Sequence, residues 1–378
     1  MSINIPVLNQ KILKMSIETG DTADVWNESE NQYMNAEILK IKTFSDGTRK
    51  YFIHFNNINK RFDDWVTIDK IDLKSLQKKQ SNKPKSSDAQ KIEEDLKFLG
   101  NSRNIEYLRM GDYHYKCWYF SPVPEPYFDL ETLYCCEFCL RFFSTLDEYE
   151  DHCSRCKWTH PPGDEIYRHG HISAYEIDGG VASRWCTNLC LITKFFLFHK
   201  SAYYGTDEFL FYVMCFNDTR GAHPCGFFSK EKRAECQNNL SCILSFPAYQ
   251  KTGVGRFLIQ LSYELSKIEK RTGGPETPLS DLGLMAYSSY WKAAVLKCIV
   301  EHEGEKLSVA SISAMTGMTE ADVMTGARKG GYLVKVDDRS QWVFGATKEQ
   351  VRVWREKERK RLIKLDPKSI RWSPYPRK

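Results

Sequence analysis

The stretch Ser241-Cys-Ile-Leu-Ser-Phe-Pro-Ala-Tyr-Gln-Lys-Thr-Gly-Val-Gly-Arg256 predicts a strand, a glycine turn and the start of a helix. Its apolar run ends at Pro247, and Gln250, Gly253 and Gly255 follow in the order Q-x-x-G-x-G. Four apolar residues then recur at the spacing of an amphipathic helix: Phe257, Leu261, Leu265 and Ile268. Glycines let a ligand approach the backbone, and the first N–H groups of a helix attract phosphate. The residues around the turn favour coenzyme A over ATP, and the lack of G-K-[ST] argues against a P-loop. An ordinary strand–turn–helix would show the same short pattern, so the wider sequence is needed to tell whether this stretch binds a coenzyme.

A second cluster has the spacing of a metal site. Cys136-Glu-Phe-Cys139 is followed by twelve residues, His152, three residues and Cys156. C-x2-C places two thiolates on one knuckle and H-x3-C places two ligands one helical turn apart, so all four can bind zinc tetrahedrally. Four protein ligands leave no open position, which predicts a structural zinc. Cys153 could replace one of these ligands. A finger that reads DNA is the weaker alternative for the function of the site. A helix starting at Ser144 is expected between the C-x2-C and H-x3-C pairs.

From Trp185 to Trp291 the chain resembles the MYST family of histone acetyltransferases. The phrases that carry the resemblance are Trp185-Cys-Thr-Asn-Leu-Cys-Leu191, Phe209-Leu-Phe-Tyr-Val213, Cys242-Ile-Leu244, Tyr249-Gln-Lys-Thr-Gly-Val-Gly255, Ser262-Tyr-Glu-Leu-Ser-Lys267 and Pro278-Leu-Ser-Asp-Leu-Gly-Leu284. The resemblance implies an α+β fold: a GNAT-like acetyl-CoA-binding core with a zinc-finger module and a C-terminal helix-turn-helix-like unit, plus a small N-terminal β-barrel. The similarity is greatest to the subgroup with an N-terminal chromo barrel, or tudor-knot.

The expected domain organisation combines the resemblance with the local patterns. Residues 11–75 are expected to form the chromo barrel, residues 76–104 a basic flexible linker and residues 105–378 the MYST-type acetyltransferase domain. Within that domain, the C2HC zinc finger is expected at 134–160, the acetyl-CoA-binding core at 161–303 and the helix-turn-helix-like segment at 304–378.

Alternating side chains in Tyr33-Met-Asn-Ala-Glu-Ile-Leu-Lys-Ile41 and Tyr51-Phe-Ile-His-Phe55 predict the strands of the barrel. Its aromatic residues Tyr33, Phe52, Phe55 and Trp65 are candidates for a methyl-lysine cage. At least half of them are expected in the barrel core instead. RNA is the alternative ligand of the barrel, and the neighbouring lysines would suit it.

The resemblance also implies the site residues. Glu276, between the prolines of Gly273-Gly-Pro-Glu-Thr-Pro278, stands at the position of the family's catalytic glutamate, and Cys242 at that of the cysteine beside the acetyl group. The residues expected to bind the coenzyme or, through backbone N–H groups, the oxyanion are Ile243, Leu244, Ser245, Gln250, Lys251, Thr252, Gly253, Val254, Gly255, Arg256 and Ser280. Ser280 is also a candidate helix N-cap. Lys200 matches the family's self-acetylated lysine, although Phe198 stands where the family usually has aspartate.

Acetyl transfer to lysine needs a base, because the ordinary pKa of a lysine amine is about 10.4. Direct attack of the amine on the thioester is favoured, and prior transfer of the acetyl group to Cys242 is the open alternative. The expected function is acetylation of histone-tail lysines, with histone H4 as the expected substrate, by a nuclear regulator of chromatin and transcription. Histone tails, nucleosomes and subunits of a multi-protein complex are the implied partners. The alternatives are an acetyltransferase for non-histone proteins or small amines, and an inactive chromatin-binding scaffold.

The bulk composition agrees with a multidomain protein. The 378 residues are 42% hydrophobic and 13% aromatic, enough for two or three domains with cores. The net charge of +5 is mild, and the basic residues concentrate in 74–85 and 348–378. Thirteen cysteines without a regular disulfide pattern, together with no secretory leader and no run long enough to span a membrane, predict a reducing, intracellular setting.

Overall fold

Two compact units make up the protein. The computed structural model describes residues 16–44, 46–79, 103–198, 205–233, 238–336 and 341–374. The first unit takes in the described residues up to 108, with 116–133 and 191–198, and the second takes in the others. Each unit has its own hydrophobic cluster of buried residues.

Five antiparallel strands form the N-terminal sheet of the first unit. They are β1 (Thr22–Asn27), β2 (Gln32–Thr43), β3 (Arg49–Phe55), β4 (Asp64–Thr67) and β5 (Ile71–Gln77). Their order is β4-β3-β2-β1-β5. Tyr51, Ile53 and Phe55 alternate along β3 and are buried in one apolar cluster, because successive side chains of a strand point to opposite faces. The predicted N-terminal β-structure is confirmed.

The four aromatic residues considered for a methyl-lysine cage do not gather on one face. Phe55 is buried in the core, while Phe52 is only 2% exposed and packs 5.3 Å from the Trp65 ring. The Arg103 guanidinium lies 5.0 Å from the centre of the Phe52 ring, so that ring already has a cation. Tyr33 is 54% exposed and packs edge-on against Trp26. Two of the four are therefore buried, on opposite faces of β3: Phe55 in the barrel core, and Phe52 against Trp65 and Arg103.

After the N-terminal sheet come the elements that carry the metal-ligand cluster and those that form the central sheet. They are β6 (Tyr107–Met110), β7 (Tyr113–Lys116), β8 (Thr132–Cys135), β9 (Phe142–Phe143), α1 (Leu146–Arg155), β10 (Asp164–His169), β11 (Ile172–Asp178), α2 (Ser183–Lys194), β12 (Phe209–Asn217), β13 (Ala222–Glu231), β14 (Asn238–Leu240) and β15 (Cys242–Ser245). Five of these strands form the central antiparallel sheet of the second unit, in the order β10-β11-β12-β13-β15.

One strand prediction is wrong. The alternation from Tyr167 to Ile177 predicts a single strand, but the structure divides it into β10 and β11, which pair with each other. The turn is at Gly170, whose φ of 57° is in the left-handed region that glycine adopts without strain. His169 and His171 flank this turn and are exposed.

The strand, turn and helix of the opening stretch are confirmed. β15 ends at Ser245, a short 3-10 turn covers Pro247–Tyr249, and α3 (Val254–Ile268) follows. Phe257, Leu261 and Leu265 are buried in the core of the second unit. Ile268, the last residue of the predicted apolar face, is 39% exposed.

The C-terminal part of the second unit contains a short strand, helices of 8 to 21 residues and a hairpin. It contains β16 (Gly274–Pro275), α4 (Asp281–Glu301), α5 (Val309–Thr316), α6 (Glu320–Gly330), β17 (Leu333–Val336), β18 (Gln341–Phe344) and α7 (Lys348–Lys360). Gly317 ends α5 with a φ of 75°, which makes the sharp turn into α6. None of the helices in the described ranges is long and apolar enough to cross a bilayer.

Candidate active site and zinc centre

Four side chains converge as a metal site in the second unit. The ligand atoms of Cys136, Cys139, His152 and Cys156 all lie within 4.8 Å of one another. Cys136 Sγ is 3.9 Å from Cys156 Sγ, and Cys139 Sγ is 3.2 Å from His152 Nε2. A tetrahedral zinc with bonds of about 2.3 Å to sulfur sets its sulfur ligands roughly 3.8 Å apart, so the set fits zinc.

Local structure explains why these four meet. Cys136 and Cys139 lie in a tight knuckle in which the Leu140 N–H donates to the Cys136 carbonyl and the Cys136 N–H to the Arg141 carbonyl. The other two ligands lie at the end of α1, His152 in its last turn and Cys156 at its C-cap. Thr145, not Ser144, caps α1, since its side chain accepts from the Glu148 N–H at 3.3 Å. The cap is one residue later than the sequence indicates, because Thr145 takes the extended conformation of a cap and α1 begins at Leu146.

The competing cysteines are outside the ligand set. Cys153 is on α1 next to His152 but is not one of the four converging residues. Burial raises the pKa of the Cys153 thiol to about 11. Cys135 is fully buried, and burial raises its pKa well above the ordinary value. The H-x3-C spacing is therefore the one that the structure brings together.

Hydrogen bonds tie the zinc knuckle to the rest of the second unit. The Trp185 Nε1–H donates to the Phe138 carbonyl at 2.9 Å, and Asn188 Nδ2 donates to the Leu140 carbonyl at 2.8 Å. Both donors are on α2, in the phrase Trp185-Cys-Thr-Asn188. The knuckle is held as part of this unit, which agrees with a structural role for the metal.

A histidine between two carboxylates makes a further link. His223, on β13, has Nδ1 at 2.9 Å from Glu137 Oε2 and Nε2 at 2.7 Å from Asp218 Oδ1. Burial alone would lower the pKa of His223, but the hydrogen bonds and charges of both carboxylates outweigh burial and raise this pKa. The His223 hydrogen bond, with two backbone N–H donors, lowers the pKa of Asp218. Sequence reasoning missed this cluster because Glu137 is far in the chain from Asp218 and His223.

Glu276 directly follows β16, next to the strand that leads to Cys242. β16 pairs in parallel with β14, and the Glu276 N–H donates to the Leu240 carbonyl at 2.8 Å. Cys242 begins β15 two residues after Leu240. The Glu276 side chain is exposed and Cys242 is partly buried. The structure thus brings together the chain segments that carry these two predicted residues.

The other side of β16 is held by the turn between α5 and α6. The Gly273 N–H donates to the Gly317 carbonyl at 2.9 Å, and Gly273 forms a parallel bridge with Met318. A Cβ at Gly274 would lie 2.7 Å from Asp322 Oδ2, so the Asp322 carboxylate lies against the backbone of β16. Sequence reasoning missed Asp322, because α6 is far from Gly274 in the chain. A glycine pair before Pro275 was the available signal of a close approach.

β15, the strand of Ile243, Leu244 and Ser245, lies at the edge of the central sheet. It pairs with β13 from Ser229↔Cys242 to Gly226↔Ser245. Because the backbone groups of a strand point alternately to its two sides, every second N–H of β15 faces away from β13. Such an edge can present backbone donors to a ligand, as the sequence predicts for the oxyanion.

The predicted phosphate cradle begins at Gly253, where the first N–H groups of α3 have no helical acceptor. Gly253, with a φ of 112°, precedes α3 and makes no side-chain cap. The first helical bond runs from the Phe257 N–H to the Gly253 carbonyl at 3.0 Å. The N–H groups of Val254, Gly255 and Arg256 therefore have no helical acceptor and face out of the helix start. A Cβ at Gly255 would be 3.3 Å from Ser245 Oγ, so the turn lies close to the end of β15.

Two side chains beside the cradle, those of Thr252 and Gln250, form hydrogen bonds to backbone carbonyls. Thr252 Oγ1 donates to the Tyr249 carbonyl at 2.6 Å, and Gln250 Nε2 to the Ser245 carbonyl at 3.4 Å. Both bonds stabilise the loop, in which Lys251 is exposed with a φ of 62°.

Arg256 and Ser280 have structural contacts in addition to their predicted roles. The Arg256 guanidinium lies 3.4 Å from Glu358 Oε1 and 5.2 Å from the centre of the Tyr290 ring. It therefore already has an anionic partner and an aromatic one. Ser280 caps α4, with its hydroxyl accepting from the Gly283 N–H at 3.1 Å. Lys200 lies outside the described residues.

Comparison with known proteins identifies the class to which this fold and site belong. The MOZ/SAS family matches residues 160–370, the MYST family zinc finger domain residues 102–156, and the RNA binding activity-knot of a chromodomain residues 17–73. The chain belongs to the MOZ/SAS, or MYST, family of acetyltransferases, and its four-ligand cluster is the zinc site of the MYST zinc finger.

Curated relatives extend along most of the chain. The histone acetyltransferase ESA1 of Kluyveromyces lactis is 34% identical, over 92% of this chain and 91% of its own length. The histone acetyltransferase of the MYST family 2 of Arabidopsis thaliana is 36% identical, over 88% and 82%. The histone acetyltransferase Tip60 homolog of Caenorhabditis elegans is 34% identical, over 90% and 87%.

Proposed function

We propose that this protein transfers the acetyl group of acetyl-CoA to the ε-amine of histone-tail lysines, with Glu276 as the general base. The observation that supports this role best is the hydrogen bond from the Glu276 N–H to the Leu240 carbonyl. It fixes the chain that carries the carboxylate beside the strand leading into Cys242 and the cradle. Membership of the family and the names of the relatives support the reaction itself.

The chemistry assigns a task to each part of the site. The substrate ammonium must lose a proton, because its ordinary pKa is about 10.4. Glu276 takes that proton, and the neutral amine attacks the thioester carbonyl. Outward N–H groups of β15 stabilise the oxyanion that forms on the carbonyl oxygen. Collapse of the intermediate releases the coenzyme thiolate, and the proton that the attacking nitrogen loses as the amide forms passes to that thiolate.

The cradle supplies binding for the coenzyme. The N–H groups of Val254, Gly255 and Arg256 point at the pyrophosphate, and the helix dipole of α3 favours its charge. Lys251 adds an exposed cation, whereas Arg256 contributes through its N–H and keeps its side chain on Glu358. Ile243, Leu244, Ser245, Gln250, Thr252, Gly253 and Ser280 complete the proposed coenzyme site.

Replacing the base tests the assignment. Glu276→Gln keeps the shape of the side chain but removes its basicity, so we expect acetylation of a histone H4 tail peptide to fall about a hundredfold or more. The loss should shrink as pH rises, because more of the substrate amine is then neutral. Glu301→Gln, an exposed glutamate at the end of α4 that pairs with Lys297, is the matched control and should keep full activity. Equal turnover in Glu276→Gln and Glu301→Gln would contradict the assignment.

The substrate and the setting belong to the same proposal. We infer that the protein acts on nucleosomes in the nucleus, prefers histone H4, and works within a multi-protein complex. Lys200 is proposed to be acetylated by the enzyme itself. Mass spectrometry of nucleosomes and of the enzyme after incubation with acetyl-CoA would report which histone lysines are acetylated and whether Lys200 is acetylated. Acetylation confined to free amines would favour a small-amine enzyme, and coenzyme binding without any transfer would favour a scaffold.

A further inference from the structure

An open cleft with charged rims lies in the C-terminal part of the second unit. Its volume is about 520 Å³, and it is lined by the end of α4, the turn at 302–307, the end of β18 and one face of α7. None of the residues that line it belongs to the proposed active site. The cleft is therefore available for a different task.

The floor of the cleft is apolar and incompletely covered. Its members are partly buried residues that pack on the core from one side only: Ile299, Val300, Leu307, Phe344, Ala346 and Val351. α7 has thirteen residues, and none of them is buried. Covering such a surface is favourable by about 25 cal/mol for each Å² of apolar area removed from water.

The two rims of the cleft, α7 and the turn at 302–307, carry charges of opposite sign. On α7, Lys348, Arg352 and Arg355 follow one another at helical spacing and line one side of the cleft. Arg352 pairs with Glu349, but Lys348 and Arg355 form no ion pair with any residue in the described ranges. In the turn at 302–307, the carboxylates of Glu303 and Glu305 likewise have no ion-pair partner in the described ranges.

We propose that this cleft binds a peptide segment of a partner protein, with aliphatic side chains on the floor, carboxylates against α7 and a lysine or arginine against Glu303 and Glu305. Complementary charges on the two sides would fix the direction of the segment. A uniformly basic histone tail would be repelled by Lys348 and Arg355, and nucleic acid by Glu303 and Glu305, so neither matches both rims. A small ligand normally has most of its surface enclosed, whereas both rims here are exposed.

Peptide selection tests the proposal and does not require that the partner be identified. The probe is a phage-displayed library of short random peptides, selected on the full chain loaded with zinc. We expect the enriched peptides to combine aliphatic residues with acidic residues on one side and a basic residue on the other. Lys348→Glu/Arg355→Glu should weaken their binding about tenfold, because two attractive contacts become repulsive. Exchanging the acidic residues of a selected peptide for lysine should restore binding to this variant.

A matched variant separates the cleft from charge in general. Lys357→Glu/Lys360→Glu makes the same change in charge on the other side of α7 and should leave peptide affinity unchanged. Thermal melting of both variants is the control for folding, and each should unfold as the wild type does. Peptides that bind all three proteins equally, or enriched peptides that are uniformly basic, would overturn the proposal. A wild-type dimer in sedimentation that the Lys348→Glu/Arg355→Glu variant dissociates would also overturn it, since a second copy would then be the occupant.

Discussion

The role of Cys242 distinguishes the two possible mechanisms, direct attack by the lysine amine and prior transfer of the acetyl group to the cysteine. It begins the edge strand β15 and is partly buried, so it can serve as a packing residue or as an acyl carrier. Exchange of one thioester for another gains little energy, which favours direct attack by the amine. We expect Cys242→Ala to keep activity on a histone peptide to within about tenfold, well above Glu276→Gln. An acetylated Cys242 in the intact mass of enzyme mixed with acetyl-CoA, together with an inactive Cys242→Ala, would show the opposite.

His223 makes part of the stability depend on pH. The carboxylates of Glu137 and Asp218 raise its pKa in the folded protein, so its contribution is complete below the ordinary value of about 6.5. As pH rises through the raised pKa, this contribution is lost. Arg220 also pairs with Asp218, and with Asp112. We expect the free energy of unfolding in urea to fall between pH 6 and pH 9 more in the wild type than in His223→Gln. Parallel pH profiles for the two proteins would contradict the assignment.

At the residue scale, local spacing predicted the zinc ligands but not their surroundings. Cys136, Cys139, His152 and Cys156 lie within one short segment, where the geometry of a knuckle and a helical turn fixes their positions. His223 and Asp322 contact that segment and β16 from distant parts of the chain. A single sequence carries no signal for such pairs, because tertiary packing alone brings them together.

Among the elements, β16 depends on supports from both of its sides. β14 holds it through Leu240, and the turn between α5 and α6 holds it through Gly317. The helix-turn-helix-like segment thus positions the strand that precedes Glu276. The sequence predicted both helices, but it did not predict that their turn pairs with Gly273, since the bridge joins residues Gly273 and Met318 across two intervening helices.

Gly274→Ala tests this support. The new methyl group would lie 2.7 Å from Asp322 Oδ2, closer than atoms pack, so the Asp322 side chain or the backbone of β16 or α6 must move. We expect a loss of about 1–3 kcal/mol in the free energy of unfolding and a lower kcat for peptide acetylation. In Gly274→Ala/Asp322→Ala, the clash is gone and both quantities should recover relative to Gly274→Ala alone. Additive effects of the two substitutions in this double-mutant cycle would show that the contact does not matter.

At the scale of the whole molecule, zinc should stabilise one unit and leave the other unchanged. The knuckle contacts α2 through Trp185 and Asn188, and β13 through His223. The N-terminal sheet has a separate core, built from residues such as Val25, Ile38 and Ile53. Loss of the metal would free three thiols and a histidine within the second unit, and binding of structural zinc contributes directly to folding.

Removal of zinc by phenanthroline should therefore abolish acetylation, although zinc takes no part in the proposed transfer. In hydrogen–deuterium exchange, we expect the amides of α1, β12 and β13 to lose protection after chelation, because the knuckle no longer holds His223 and α2. The amides of β1 to β3 should keep their protection, since their sheet has its own core. A non-chelating isomer of phenanthroline is the control and should change neither. Unchanged protection in β12 and β13 after measured loss of the metal would mean that the zinc module does not support the central sheet.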